Sequence, residues 1–512
     1  MSRGVILNFD ATAAIGFVLI YCVASLITVG GAGGPVTGWG DDWAQYIMHA
    51  RAITQGRAYS DIGYVWSIYA PLIGPPAYPP GTAFVLAPFF LAFGYSTEIA
   101  SFSMAACFGL FLLAFYAFLS RLGSRQIALA TLVFVALNPV FWRNAQSVGS
   151  DNPYLMFCYF ALLVATLREG AHGLLAILGY SVLLGILISL AYVTRDVGVI
   201  LLFSVITVDL VRWRQLAARA LPMLAIFVLS AFWQSQLLAS TKAYDYDQIV
   251  FSMLGTDILG NIVRFFNDFR FYAYLGGHLD AVTGGAFLMF SVVGCSQSLR
   301  PSVSELQRPA RLVFTRLLSA ARSVPLHFIF VTGNVLFLFL LPFDQGGRYL
   351  RPFAPILMWY AVIAASALTR LSGRPRVAGG CLALAVGVLT VGTYIINDNP
   401  RLGLQAPSSP EARALFAAVN RLVPKDEIVV FAKPRAMALF SGRKSIGWPS
   451  TVYSHWDEIL AQQGLVDFVI SNEFSLPGED KESIEDVRKR TRPITMFRNK
   501  QFTLYHIGIP FN

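Results

Sequence analysis

Residues 81–95 read GTAFVLAPFFLAFGY, and whether this stretch crosses a bilayer decides how the whole chain is threaded. It is apolar but short, and Pro88 interrupts it. A spanning helix needs about 20 mostly apolar residues to cross the hydrocarbon core. Other apolar runs fall at 11–34, 98–119, 126–142, 152–168, 172–192, 197–211, 220–239, 283–298, 326–342, 350–369 and 377–397. If 81–95 is re-entrant or lies on the surface, there are about eleven spans and their loops sort by charge. Fifteen arginines then share one side: Arg3, Arg121, Arg125, Arg168, Arg212, Arg214, Arg219, the five between Arg300 and Arg322, and Arg370, Arg374 and Arg376. The other side holds nine cations, five of them in two long loops. Positive loops stay cytoplasmic, so the N-terminus is predicted inside and the long loops, 35–97 and 240–282, outside. If 81–95 crossed, every later loop would change sides and the bias would vanish.

The composition agrees with this reading. Of 512 residues, 55% are hydrophobic and only 13% charged, against roughly 25% charged in soluble domains. An ordinary soluble enzyme and a disordered chain are both excluded. The net charge of +10 belongs largely to the inner loops. No basic stripe with interleaved aromatics marks a nucleic-acid partner. Arg3 and the apolar run after it imitate a signal peptide, but the run exceeds the 7–15 residues of such a core, so an uncleaved first helix is expected. The five cysteines (Cys22, Cys107, Cys158, Cys295 and Cys381) all fall in predicted spans, with no disulfide or metal-type spacing.

Near residue 398 the composition changes. Residues 398–409 form a polar linker rich in Pro and Ser, and 410–512 read as a small α/β unit. EARALFAAVNRLV (411–423) has helical spacing, EIVVFA (427–432) and DFVISN (467–472) are short strands, and ITMFRNKQFTLYHIG (494–508) is a hairpin turning at Asn499 and Lys500. By parity this unit lies outside the cytoplasm.

The outer border carries acids where ionised groups are costly. Asp41 and Asp42 open the first loop, and Asp151 sits in VGSDNP (148–153) at the outer start of a span. Each has a structural alternative. Asp41 and Asp42 could be a solvated loop start, and Ser150-Asp151 with Pro153 is also a helix N-cap pattern. Arg195 in AYVTRDVG (191–198), and Arg348 and Arg351 in DQGGRYLRPFAP (344–355), are cations at the same level, with interfacial snorkelling as the alternative. A carboxylate can deprotonate a hydroxyl, and arginines can hold a phosphate.

Together these segments resemble the GT-C glycosyltransferases, in the bacterial branch near protein O-mannosyltransferases and the aminoarabinose transferase of lipid A. Asp42 followed by Tyr46 fits the acid–tyrosine spacing of that family's first loop, with Trp43 where a Glu is usual. YIMHARAITQGRAY (46–59) is similar to its juxtamembrane helix, and Tyr78-Pro79-Pro80-Gly81 to its Pro-Pro segment. LAYVTRDVGVILL (190–202) resembles its Thr-Arg helix start, with Asp196 for a common Pro. GGRYLRPFAP (346–355) resembles its Arg-Tyr-x-x-Pro segment, and KPRAMALFSGR (433–443) a phrase of bacterial tails.

The resemblance implies a multi-pass enzyme of the bacterial cytoplasmic membrane and cell envelope, with an α-helical GT-C-like domain (1–397) and an extracytoplasmic α/β domain (410–512). It implies a polyprenyl-phosphate sugar as donor, a lipid, glycan or protein hydroxyl as acceptor, and inversion at the anomeric carbon. Asp42 is then the expected base, with Asp41 beside it, and Asp151 orients the acceptor or binds a metal. Arg348, Arg195, Tyr349 and Arg351 would bind the donor phosphate, and Tyr46, Tyr69 and Tyr78 would line the substrate loop. Some relatives use a divalent ion and others do not; neither His49 nor His278 has metal-ligand spacing, and no metal is assigned. The rivals are a flippase of lipid-linked glycans and a non-catalytic sensor on the same scaffold. Transporters favour repeats and midplane sites, whereas the acids here cluster at the outer border; Asp209 is the most span-embedded acid.

Overall fold

The computed structural model describes residues 9–31, 39, 42–66, 74–212, 215–239, 258–269, 280–299, 324–340, 346–371, 407–447, 468–472 and 493–507. Asp41, Tyr69, His278, Cys381, the run 377–397 and most of the linker lie outside these residues.

The fold is mainly helical. Helix α1 is Phe9–Gly31, and two shorter helices follow, α2 (Asp42–Thr54) and α3 (Gly81–Phe93). The bundle continues with α4 (Thr97–Leu122), α5 (Arg125–Leu137), α6 (Pro139–Asn144), α7 (Asp151–Glu169), α8 (Leu174–Thr194), α9 (Val199–Arg212) and α10 (Leu216–Leu237). After it come α11 (Ile258–Phe269), α12 (Asp280–Ser298), α13 (Leu326–Leu340) and α14 (Ala354–Leu371). Ten of the eleven apolar runs are thus helical within the described residues. Among the described residues three helices, Thr97–Leu122, Leu174–Thr194 and Leu216–Leu237, are long and apolar enough to cross a bilayer by length and composition alone.

The run 126–142 is not one helix. The chain leaves the helical region at Asn138 (ψ 128°), whose side chain accepts from the Val140 N–H to start α6 with Pro139 in its first turn. The cause is local, since the residue before a proline is pushed out of the α region.

The bundle core is aromatic: Phe108, Phe111, Phe115, Phe141 and Tyr159 are all buried. The outward face is apolar too. Along α10, Leu221, Val228, Leu229 and Phe232 are each at least 60% exposed. Such a continuous exposed stripe on a bundle suits lipid, not water. A carboxylate buried in the bundle is paired. Asp209 is fully buried and takes Arg168 at 2.7 Å, with Arg219 at 3.5 Å. The most embedded acid is therefore one half of an ion pair.

Above the bundle sits a second core with a six-stranded sheet, ordered β1-β3-β2-β4-β6-β5. Its strands are β1 (Tyr64–Val65), β2 (Ile428–Val430), β3 (Lys444–Ile446), β4 (Phe468–Asn472), β5 (Pro493–Arg498) and β6 (Phe502–Ile507). β1, β3, β2 and β4 run parallel to one another, and β6 pairs antiparallel with both β4 and β5. The β5–β6 turn is closed by Asn499, whose side-chain oxygen accepts from the N–H groups of Gln501 and Phe502. Helices α15 (Pro410–Leu422) and α16 (Pro434–Ser441) pack beside the sheet.

The sheet is not built from the tail alone. Strand β1 comes from the first loop, between α1 and α3, and pairs with β3, Tyr64 opposite Ser445. Trp39, from the same loop, lies within 5.7–6.3 Å (ring centroids) of Phe416, Phe431 and Phe502 of the tail. Burying these rings together makes the first loop and the tail one packed body, and it holds α2 against α16. Helix α3 is tied to the bundle by Gly81: a Cβ there would fall 2.7 Å from the Thr194 Cα. Only glycine permits this approach, which sets the start of α3 beside the residue preceding Arg195.

Candidate functional site

Two carboxylates and four guanidiniums converge where α2, the starts of α7 and α14, the end of α8 and the tail meet. Asp151 begins α7, but Ser150 makes no side-chain capping bond, and the Asp151 carboxylate is occupied elsewhere. One oxygen binds Arg195; the other takes Arg348 Nε at 3.1 Å and Arg351 at 3.0 Å. The Asp151 side chain is only 11% exposed. An isolated buried carboxylate would be costly, and three surrounding cations remove that cost. The geometry is that of an arginine organiser rather than of a helix cap.

Arg195 follows the last residue of α8, in extended backbone (φ −151°, ψ 130°). Its guanidinium lies over the Tyr349 ring at 4.8 Å and near Tyr154 at 5.9 Å. Burial opposes its charge, and Asp151 more than restores it, so its pKa is raised. It is not snorkelling to water. Arg348 and Tyr349 lie in a short 3-10 turn, Gly346–Leu350, ahead of α14. Asp151 is the main cause of the raised pKa of Arg348. Arg348 also reaches towards Asp42, with 3.6 Å between Nη1 and Oδ2, and at 32% exposed it is the most accessible of the three arginines around Asp151.

Asp42 opens α2, and its side chain is 46% exposed. The Tyr78 hydroxyl donates to its Oδ1 at 2.8 Å, and Arg435 donates to the same oxygen at 2.9 Å. Among the described residues, Oδ2 has only the long Arg348 contact. Tyr46, one turn into α2, stacks on Tyr78 at 5.1 Å. Burial and the nearby Asp42 charge push the Tyr46 hydroxyl up to about 12, and burial holds Tyr78 well above its usual value. Both phenols stay neutral donors.

Of the residues expected from sequence, Asp42, Asp151, Arg195, Arg348, Tyr349, Arg351, Tyr46 and Tyr78 are brought together; Asp41 and Tyr69 lie outside the described residues. Arg435 is the participant that sequence reasoning missed. It lies in KPRAMALFSGR, 393 positions from Asp42, and no local pattern links the two.

Beneath the site His49 is fully buried. Its Nδ1–H donates to the Tyr59 carbonyl at 2.7 Å, while Nε2 accepts from Gln45 at 3.2 Å and from the Tyr78 N–H at 3.4 Å. This leaves no place for a second proton. Burial lowers the imidazole from 6.5 to about 4, and Arg435 adds to the effect against the Tyr59 carbonyl. The depressed folded value means the stabilising contribution is complete above pH 6.5 and is lost as pH falls towards 4. The loss amounts to about 3 kcal/mol at the acid limit. Thermal unfolding in detergent should therefore drop more steeply between pH 6.5 and 4 for the native chain than for His49→Gln. Parallel curves would contradict this.

A divalent cation does not fit the cluster. Both oxygens of Asp151 are held by guanidiniums, and Asp42 is flanked by one of these, Arg348, and by Arg435. Among the described residues no group of three or more His, Cys, Asp or Glu side chains converges.

No protein-family model and no curated protein matches the sequence. Solved structures do match the fold. ArnT from Cupriavidus metallidurans bound to undecaprenyl phosphate is 12% identical with a TM-score of 0.55, over 96% of this chain and 98% of that one. The Archaeoglobus fulgidus oligosaccharyltransferase tethered with an acceptor peptide is 14% identical with a TM-score of 0.56, over 91% and 69%. The archaeal oligosaccharyltransferase AglB from Archaeoglobus fulgidus, in complex with an inhibitory peptide and a dolichol-phosphate, is 14% identical with a TM-score of 0.54, over 92% and 70%. Both proteins are GT-C membrane glycosyltransferases. At these identities the likeness speaks for architecture, and this chain has a GT-C-like fold.

Proposed function

We propose that the chain is an integral membrane glycosyltransferase of about eleven spans, working on the outer face of the bacterial cytoplasmic membrane with its tail outside. It moves a sugar from a polyprenyl-phosphate donor to an acceptor hydroxyl on a lipid, glycan or protein. The observation that carries this reading is the pairing of a half-exposed carboxylate, Asp42, with an arginine cluster organised on Asp151. Asp42 Oδ2 takes the proton of the acceptor hydroxyl as its oxygen attacks the anomeric carbon. The bond from that carbon to the phosphate oxygen breaks, and the configuration inverts. The electron pair leaves on the polyprenyl phosphate, whose growing charge is met by Arg348, with Arg195 and Arg351 behind it. Donor phosphate also draws Arg348 away from Asp42, freeing Oδ2. Every charge change in this scheme is handled by the chain's own residues.

Asp209 lends no support to a transport reading, because Arg168 and Arg219 already pair it. The purified protein in vesicles should transfer labelled sugar covalently from a polyprenyl-phosphate donor to membrane or protein acceptors. Translocation of the intact donor without transfer would favour a flippase instead. Arg348→Ala should lower kcat/KM for the donor about 10–100-fold, the worth of one charged hydrogen bond, read by donor titration. An unchanged kcat/KM would move the phosphate to another site.

A further inference from the structure

Among the described residues of the tail, Arg435 is the one charged side chain that reaches the site, and its surroundings are unusually constrained. Its side chain is fully buried. The guanidinium lies over the Tyr64 ring at 4.9 Å and near the Tyr78 ring at 5.0 Å. Nη1 donates both to Asp42 Oδ1 at 2.9 Å and to the Tyr78 hydroxyl at 3.1 Å. The first loop leaves room for it at Gly74 (φ +106°), where a Cβ would come within 2.6 Å of Arg435 Nη2. Strand β1 brings Tyr64 alongside by pairing with β3, two residues beyond α16. So the tail supplies a cation to a carboxylate of the membrane unit, inside a slot made by the first loop.

We propose that Arg435 is a positioning residue for Asp42, so that the reacting site is completed only when the tail is docked. The inference rests on Asp42 being the base. With Tyr78, Arg435 fixes Oδ1 and thereby turns Oδ2 to the side where Arg348 and the donor phosphate lie. Two donors on one oxygen set the plane of the carboxylate, whereas one donor leaves it free to rotate. An orientational error of this kind costs up to about 100-fold in rate with little effect on substrate binding. Arg435 touches no substrate in this scheme, and its effect passes through Asp42.

The test is a double-mutant cycle on the full-length protein in vesicles. Arg435→Ala should lower kcat about 10–100-fold and leave the donor KM within about threefold. In an Asp42→Asn background the same substitution should cost less than about threefold, because the base it positions is already gone. Added guanidinium ion should restore part of the Arg435→Ala activity by entering the vacated slot, and urea should not. Equal losses in the two backgrounds, or a change in KM alone, would overturn the proposal. Should Arg435→Ala fail to fold, Arg435→Lys keeps the buried charge but reaches only one of the two oxygens. A kcat about tenfold lower with unchanged KM supports the proposal, and a native kcat overturns it. Loss of activity in Asp42→Asn together with a native kcat in folded Arg435→Ala would remove this inference and leave the proposed function standing; full activity in Asp42→Asn would remove both.

Discussion

Asp42→Asn is expected to lower the rate of sugar transfer about 10²–10⁴-fold, the usual worth of a general base. The substitution is nearly isosteric. The side-chain oxygen can still accept from Tyr78 and Arg435, so the contacts that hold the start of α2 to the tail remain. What is lost is the capacity to take a proton. The loss should therefore fall on kcat, while donor binding, which the proposed reaction assigns to Arg348, Arg195 and Arg351, stays close to native. Single-turnover transfer in vesicles, read beside donor binding on the same preparation, separates the two. A folded Asp42→Asn with native turnover would require another base.

Asp151→Ala should produce the largest structural effect of any single substitution in the site. It leaves Arg195, Arg348 and Arg351 facing one another with their shared counter-charge gone; Arg195 and Arg351 are each only 11% exposed. Removing one partner of a largely buried ion pair costs about 3–5 kcal/mol. The lower end is appropriate because Arg348 is 32% exposed and can turn to water. Transfer should also collapse, since the donor phosphate then meets scattered cations. A thermal unfolding midpoint in detergent measures the first effect. Arg351→Ala, which leaves two cations on Asp151, should be clearly milder. Equal destabilisation by the two variants would show that Asp151 does not organise the cluster.

The bundle was legible because burial in lipid demands long apolar runs, and ten of the eleven runs are helical in the described residues, one of them as two helices. The break at Asn138 was written locally by Pro139 but was masked by the apolar residues around it. The cluster was legible in part because charge is scarce at a membrane border: Asp42, Asp151, Arg195 and Arg348 each stood out against apolar neighbours. Their mutual contacts were not, since capping, snorkelling and solvation explained each residue equally well until Asp151 was seen to hold three arginines at once. Arg435 and β1 were illegible for another reason. A two-residue strand has no measurable period, and the phrase KPRAMALFSGR stood out as a resemblance without pointing to Arg435 or to any partner of it. Both acquire meaning only through pairings hundreds of residues apart, which the burial of Trp39 among the tail aromatics fixes in space.

The most direct test is a structure of the protein with a polyprenyl-phosphate sugar bound. The phosphate should lie on Arg348 with Arg195 and Arg351 behind it, and the anomeric carbon should face Asp42 Oδ2 across a gap that admits a hydroxyl. A donor whose phosphate lies away from this cluster, or whose anomeric carbon is out of reach of Asp42, would contradict the account.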